Sequence, residues 1–76
     1  MNAIELSKQL MNETGTTYQK LADDTELGTA SNLYQMLSRK DLKVSTFVKI
    51  LDAMGCQLIV ENLETDEDYI IDNEEI

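Results

Sequence analysis

Several residue types on which common protein functions depend are missing or scarce in this chain. It has no histidine, no proline and no tryptophan, and its one cysteine is Cys56. One cysteine excludes an internal disulfide bond, and without histidine a zinc or haem site is not expected. We therefore predict no metal and no cofactor, and we interpret Cys56 as a small hydrophobic residue of the core rather than a redox-active thiol.

The patterns that accompany catalysis are missing as well. The thiol has no evident base beside it, and the three glycines do not form a phosphate-binding loop. The carboxylates are scattered or lie in a polar tail, so none is placed as one partner of an acid–base pair. We predict that the protein is not an enzyme.

Long apolar runs are also lacking, and none approaches the roughly 18 residues that cross a bilayer. Residues 1–15 are amphipathic and contain Glu5 and Glu13, unlike a secretion signal with its basic start and apolar centre. We expect a soluble protein of the cytoplasm with no membrane partner. A chain of 76 residues is one small domain with a thin margin of stability, which dimerisation would increase.

Basic residues are few, six against fifteen acidic ones, which gives a net charge of -9. The charge is uneven along the chain. Residues 1–60 contain seven acidic and all six basic residues, a net of -1, whereas residues 61–76 contain eight acidic residues and no basic one. A nearly neutral body with basic residues concentrated between positions 39 and 49 is compatible with a local positive patch.

Apolar residues recur with helical spacing over most of the first 54 positions. Hydroxyl residues precede the later segments as N-caps, Thr16 or Thr17 for the second, Thr29 for the third and Ser45 for the fourth. Gly15 and Gly55 serve as helix stops. The predicted helices span residues 3–13, 18–24, 30–38 and 46–54. The residues predicted to face the core are Ala3, Leu6 and Leu10, widened by Ile4 and Met11; Leu21 and Ala22; Ala30, Leu33 and Leu37; and Phe47, Ile50, Leu51 and Met54.

The periodicity changes after Cys56. Residues 56–62 and 68–73 are short, β-branched segments separated by a polar run, which predicts an antiparallel hairpin. An isolated hairpin is only marginally stable in water, so it should pack on the helices or pair with a second copy. The apolar residues predicted for such a dimer contact are Leu58, Val60, Tyr69 and Ile71.

The second and third predicted helices fit a helix-turn-helix pattern. A small residue is needed at Ala22 because the third helix crosses the second closely at that point. Leu33 and Leu37 anchor the third helix to the core, so its opposite face projects outward. The segments KLAD (20–23), NLYQMLSR (32–39) and STFVKILDAMG (45–55) resemble the Cro and lambda-repressor type of helix-turn-helix proteins, the XRE family. The similarity covers about residues 2–60. It implies a mainly α fold, a four-helix lambda-repressor-like domain at residues 1–62, with an acidic segment at 63–76 that completes a short C-terminal β-hairpin and ends in a solvated tail.

The resemblance implies a transcriptional regulator that binds double-stranded DNA as a homodimer with its third helix in the major groove. Such regulators are repressors of phages or mobile elements, or antitoxins. The family's base-reading positions fall on Thr29, Ser31, Asn32 and Gln35, of which Asn and Gln bond adenine bidentately. Its backbone-contact positions fall on Thr17, Arg39, Lys40 and Lys43.

The sequence departs from the family pattern around the second helix. Many members have a glutamine directly after the N-cap, where it bonds a phosphate; here Tyr18 occupies that position, and Gln19 is the predicted backbone contact. The segment between Ala22 and Leu33 is one residue longer than the usual spacing of the family. Asp23, Asp24 and Glu26 stand at the entrance of the turn, where their charge opposes phosphate.

Other interpretations fit the same residues. Asn32 and Gln35 also suit the solvated face of a core helix, and a basic cluster after a helix is favoured by the helix dipole. We interpret Tyr34 and Met36 as packing residues. The alternative function is a protein-interaction module on the same scaffold, an acidic phage-type inhibitor of a nuclease or a toxin-neutralising protein. The position of the acidic tail relative to the third helix distinguishes the two functions.

Overall fold

Four helices followed by a two-stranded antiparallel hairpin make up the protein, whose computed structural model describes residues 1–72. The predicted element order and mainly helical content are confirmed. The predicted second strand reached Asn73, which lies outside the described residues, as does the rest of the predicted solvated tail. The elements are α1 (Ala3–Thr14), α2 (Tyr18–Thr25), α3 (Ala30–Met36), α4 (Val44–Ala53), β1 (Leu58–Asn62) and β2 (Glu67–Ile71).

Side-chain caps define where the first three helices begin. The side-chain oxygens of Asn2, Thr17 and Thr29 accept hydrogen bonds from the backbone N–H three residues later, at 2.8, 3.1 and 3.3 Å. Each cap satisfies a donor that has no partner within the helix. The predicted caps Thr17 and Thr29 are confirmed, whereas the hydroxyl of Thr16 lies 2.6 Å from that of Thr14.

Two predicted helix boundaries near the third and fourth helices are wrong. α4 begins at Val44, one residue before the predicted cap Ser45, and its N-cap position is Lys43, which makes no side-chain cap bond. Leu42 already packs against the core, so the chain enters the helix sooner than a hydroxyl-cap rule suggests. α3 ends at Met36 rather than near Ser38, which follows it in a turn.

The buried face of α1 differs from the predicted one. Ile4, Ser7 and Met11 are buried, whereas Ala3, Leu6 and Leu10 are only partly buried. The Ser7 hydroxyl donates to the Ala3 carbonyl oxygen at 2.7 Å, which satisfies its polar group inside the helix. Because serine was counted as polar, the predicted centre of the buried face of α1 lies about one residue before the observed one, although Ile4 and Met11 were included in the prediction.

The remaining core predictions are confirmed for most residues. Leu21, Leu33, Leu37 and Ile50 are fully buried where α2 packs against α3 and α4. The other buried apolar residues of these helices are Ala22, Phe47, Val48 and Leu51, while Ala30 and Met54 are partly buried. Cys56, predicted to be buried, is only partly so, and its thiol donates to the Met54 carbonyl oxygen at 3.7 Å.

The hairpin has a fixed register and extends from the end of α4. Val60 pairs with Tyr69 and Leu58 with Ile71, and the intervening pair is Ile59 with Ile70. A small groove at its base is lined by strand residues together with Val48 and Asp52 of α4. The described chain measures 42 × 25 × 22 Å, an elongated shape for so short a protein.

Candidate nucleic-acid interface

The four residues predicted to contact bases lie together at the exposed surface of α3. Thr29 caps the helix, and Ser31, Asn32 and Gln35 follow within its two turns, all of them exposed. The opposite side of the helix is fixed by Leu33, which is fully buried. We call the exposed set Thr29, Ser31, Asn32 and Gln35 the polar face of α3.

The turn between α2 and α3 contains the additional residue and has two positive φ angles. α2 continues to Thr25 and ends at Glu26, which adopts a left-handed conformation with φ 58°. Leu27 then packs against the core, and Gly28 has φ 125°. A Cβ atom added at Gly28 would lie 2.4 Å from Nδ2 of Asn32. Because glycine has no side chain, the Asn32 amide can occupy this space.

An aromatic pair flanks the polar face. The rings of Tyr18 and Tyr34 meet edge to face, with centroids 5.5 Å apart and planes at 75°. Tyr18 packs against the core cluster, but Tyr34 is 59% exposed. The interpretation of Tyr34 as a packing residue is therefore wrong, whereas Met36 does pack against the core. The exposure of Tyr34 could have been predicted from its position, because it lies three residues after Ser31 and therefore on the exposed side of α3.

The polar surface of α2 is occupied by internal pairs. The Gln19 side-chain amide donates to the Asp23 carboxylate at 2.9 Å, and Lys20 Nζ lies 2.8 Å from Asp24 Oδ2. The hydrogen bond and the charge of Asp24 raise the pKa of Lys20 above its ordinary value. The bond to Asp23 uses one N–H of the Gln19 amide and leaves its second N–H for another acceptor, so the backbone contact of Gln19 stays a prediction. Asp24 forms an ion pair with Lys20.

Three cations follow α3 in a short segment that we call the basic loop, residues 39–43. Arg39, Lys40 and Lys43 are exposed, and within residues 1–72 none of them forms an ion pair. A groove of about 190 Å³ is lined by Arg39, Lys43 and Thr46 of α4 and also by the acidic Asp41. Since no side chain caps α4, its N-terminal N–H groups add to the positive potential there.

The hairpin presents apolar side chains on both of its faces. On the predicted face, Val60 and Tyr69 are 48% and 50% exposed, while Leu58 and Ile71 are partly buried. On the other face, Ile59 and Ile70 are 52% and 56% exposed. This second pair was not predicted, although the unbroken apolar runs at 58–60 and 69–71 indicate strands that are apolar on both sides. Neither outer edge pairs with another strand of the described chain.

The chain matches no protein-family model, no curated protein and no solved structure. A function for this protein is therefore inferred from the polar face of α3, the basic loop and the hairpin. None of the helices in residues 1–72 combines the length and the apolarity needed to cross a bilayer.

Proposed function

We propose that this protein is a small DNA-binding transcriptional regulator with a lambda-repressor-like helix-turn-helix, in which α2 and α3 form the motif. Two copies bind a double-stranded site in the cytoplasm, each with α3 in the major groove, as repressors of phages or mobile elements and antitoxins do. The observation that carries the proposal is the exposed polar face of α3 followed directly by three exposed cations that have no ion partner among residues 1–72.

Base recognition falls to the polar face. An amide side chain donates and accepts at the same time, so Asn32 and Gln35 are each suited to adenine, and Ser31 is adaptable to several bases. The burial of Leu33 and Leu37 holds α3 rigidly against α2 and α4. A rigid helix presents these short side chains at a fixed depth, which direct recognition requires.

Backbone binding falls to the basic loop and to Thr17. In the described part of the chain no carboxylate forms an ion pair with Arg39, Lys40 or Lys43, so each of their contacts with a phosphate would release a counterion. Thr17 already accepts a hydrogen bond from Lys20 N. Its hydroxyl proton is not used in that bond and is available for a phosphate oxygen beside the start of α2.

The position of the acidic hairpin favours DNA binding over the alternative of a nuclease inhibitor or toxin-neutralising module. The groove at the base of the hairpin involves Val48 and Asp52 of α4, whereas the main packing partner of α3 is α2. Glu61 and Asp68 are neighbours across the two strands, so their charges are carried by an element whose basal groove is formed with α4. A protein mimicking DNA would place such charges around α3.

The exposed hairpin supports association of two copies. A lone two-stranded hairpin is marginal in water, and here Val60, Ile59 and Ile70 remain about half exposed. β2 contains Glu67 and Asp68, so charge repulsion disfavours joining two β2 edges, and the β1 edge is the better one for pairing. A dimer places its two recognition helices on half-sites about 34 Å apart.

The decisive experiment is selection of bound duplexes from a random DNA pool, followed by footprinting of the enriched sequence. We expect a two-fold symmetric site that is protected by the wild-type protein. Gln35→Ala should change the enriched bases, while Gln9→Ala, an exposed glutamine of α1, should not. Failure to enrich any sequence, together with binding that does not respond to salt, would contradict the proposal.

A further inference from the structure

Tyr34 is the exposed aromatic residue of α3, and its hydroxyl is accessible at the surface. Within residues 1–72 that hydroxyl makes no hydrogen bond, unlike the hydroxyl of Tyr69, which donates to Glu67 Oε2 at 2.9 Å. The ring is 59% exposed, so both its edge and its hydroxyl are accessible to a partner that binds α3. The kind of partner that the hydroxyl can bond depends on where the ring lies on α3.

The position of Tyr34 is the flank of α3 that faces the start of α2. The ring contacts Tyr18, the first residue of α2. Thr17, the exposed N-cap of that helix, is the adjacent residue. At 100° per residue, Tyr34 lies about 60° around α3 from Ser31 and about 100° from Gln35. Tyr34 is thus at the margin of the polar face, beside the N-terminus of α2.

Tyr18 gives this ring a fixed support. Tyr18 is partly buried and packs against the core cluster, and its ring meets that of Tyr34 at 75°. Edge-to-face contact restricts an aromatic side chain that is otherwise free to rotate in solvent. A restricted ring loses less conformational entropy on binding, so its hydroxyl is suited to a contact that requires a set position.

We propose that Tyr34, supported by Tyr18, donates a hydrogen bond from its hydroxyl to a DNA phosphate beside the N-terminus of α2. This inference rests on the proposed DNA-binding function. A side chain at the margin of a recognition helix meets the sugar–phosphate backbone that borders the groove, and such contacts fix register without specifying bases. The phenol is neutral, so its contact releases no counterion and contributes to affinity independently of the salt slope.

The test compares Tyr34→Phe with the wild-type protein on the DNA enriched by the wild type and on an unrelated duplex. The variant lacks only the hydroxyl. Because hydrogen bonds to charged groups are among the stronger ones, we expect affinity to fall about tenfold per half-site on both duplexes. The enriched bases and the slope of log affinity against log salt should stay the same. Thr14→Val, which removes an exposed hydroxyl of α1 that already donates to the Leu10 carbonyl oxygen, is the control and should bind as the wild type does.

The role of Tyr18 is tested with two further variants. Tyr18→Phe retains the ring and should leave affinity unchanged, whereas Tyr18→Leu retains apolar packing but loses the ring edge and should weaken binding severalfold. Thermal unfolding of each variant confirms that the folded protein is being compared.

Each other outcome contradicts the inference in a recognisable way. Unchanged affinity in Tyr34→Phe means that the hydroxyl bonds no phosphate, while the proposed function stands. A change in the enriched bases makes Tyr34 a base-contacting residue instead. If the wild-type protein binds neither duplex, the inference fails together with the proposed function, and the two failures are distinguished by the wild-type measurement alone.

Discussion

Removing the charges of the basic loop should alter how DNA binding depends on salt by a calculable amount. Each cation that neutralises a phosphate contributes about 0.9 to the slope of log affinity against log salt. With Arg39, Lys40 and Lys43 engaged, one protomer should show a slope of about -2.7 from this loop, and a dimer about -5.4. A change from 50 to 200 mM salt should then weaken dimer binding roughly 2,000-fold through these contacts alone.

The assay is fluorescence anisotropy of a labelled duplex, titrated at four or five salt concentrations. Each of the single variants Arg39→Ala, Lys40→Ala and Lys43→Ala should lower the dimer slope by about 1.8, because two copies of the charge are lost. All three side chains are exposed, so stability should change by less than about 0.5 kcal/mol. Lys8→Ala is the matched control, since Lys8 is an exposed cation of α1, which packs against α4.

Phosphate binding by the basic loop is refuted if its variants leave the salt slope unchanged, or if Lys8→Ala lowers the slope as much as they do. The first result would mean that these cations do not meet phosphates. The second would mean that binding responds to net charge and has no defined geometry.

Three further predictions concern the turn, the core and the hairpin. Glu26→Gly should raise the free energy of unfolding by about 1 kcal/mol in urea titrations, because Glu26 holds φ 58° and glycine adopts that conformation without steric strain; a loss of stability would contradict this. Leu37→Ala should lower it by about 2–5 kcal/mol, since Leu37 is fully buried, and a cost below 1 kcal/mol would show that the core is not packed there. Val60→Lys should convert the dimer to a monomer in sedimentation experiments, because it places a charge on the exposed hairpin face; the same exchange at Leu63, an exposed loop residue, should not.

The elements that could be predicted from the sequence are those specified by local chemistry. Thr17 and Thr29 cap helices because a hydroxyl oxygen reaches the N–H three residues on, and no distant contact is needed. Leu33 and Leu37 fall inward because their spacing matches the helical repeat. The exposure of Ser31 and Gln35 follows from the same geometry, so the polar face of α3 could be predicted as a set.

The remaining features depend on contacts that a sequence pattern does not contain. Ser7 is buried because its hydroxyl bonds a backbone oxygen, and α4 starts at Val44 because Leu42 packs against the core. The hydrogen bond between the Gln19 amide and Asp23, one turn away, was likewise not predicted. Tyr34 was assigned to packing because an aromatic residue in a helix usually is buried, and its exposure depends on where α2 places Tyr18.

The close approach of Gly28 and Asn32 has a consequence for any attempt to redirect this protein to a new DNA sequence. The amide of Asn32 occupies the space that a side chain at position 28 would need, and the positive φ of Gly28 disfavours other residues in any case. A library that randomises the polar face while keeping Gly28 keeps this space open for the side chain at position 32. Longer side chains at position 32 extend past this space and are expected to reach deeper into the groove. The two positions should therefore be designed as a coupled pair, with glycine kept at 28 and side-chain length at 32 as the variable that sets reach.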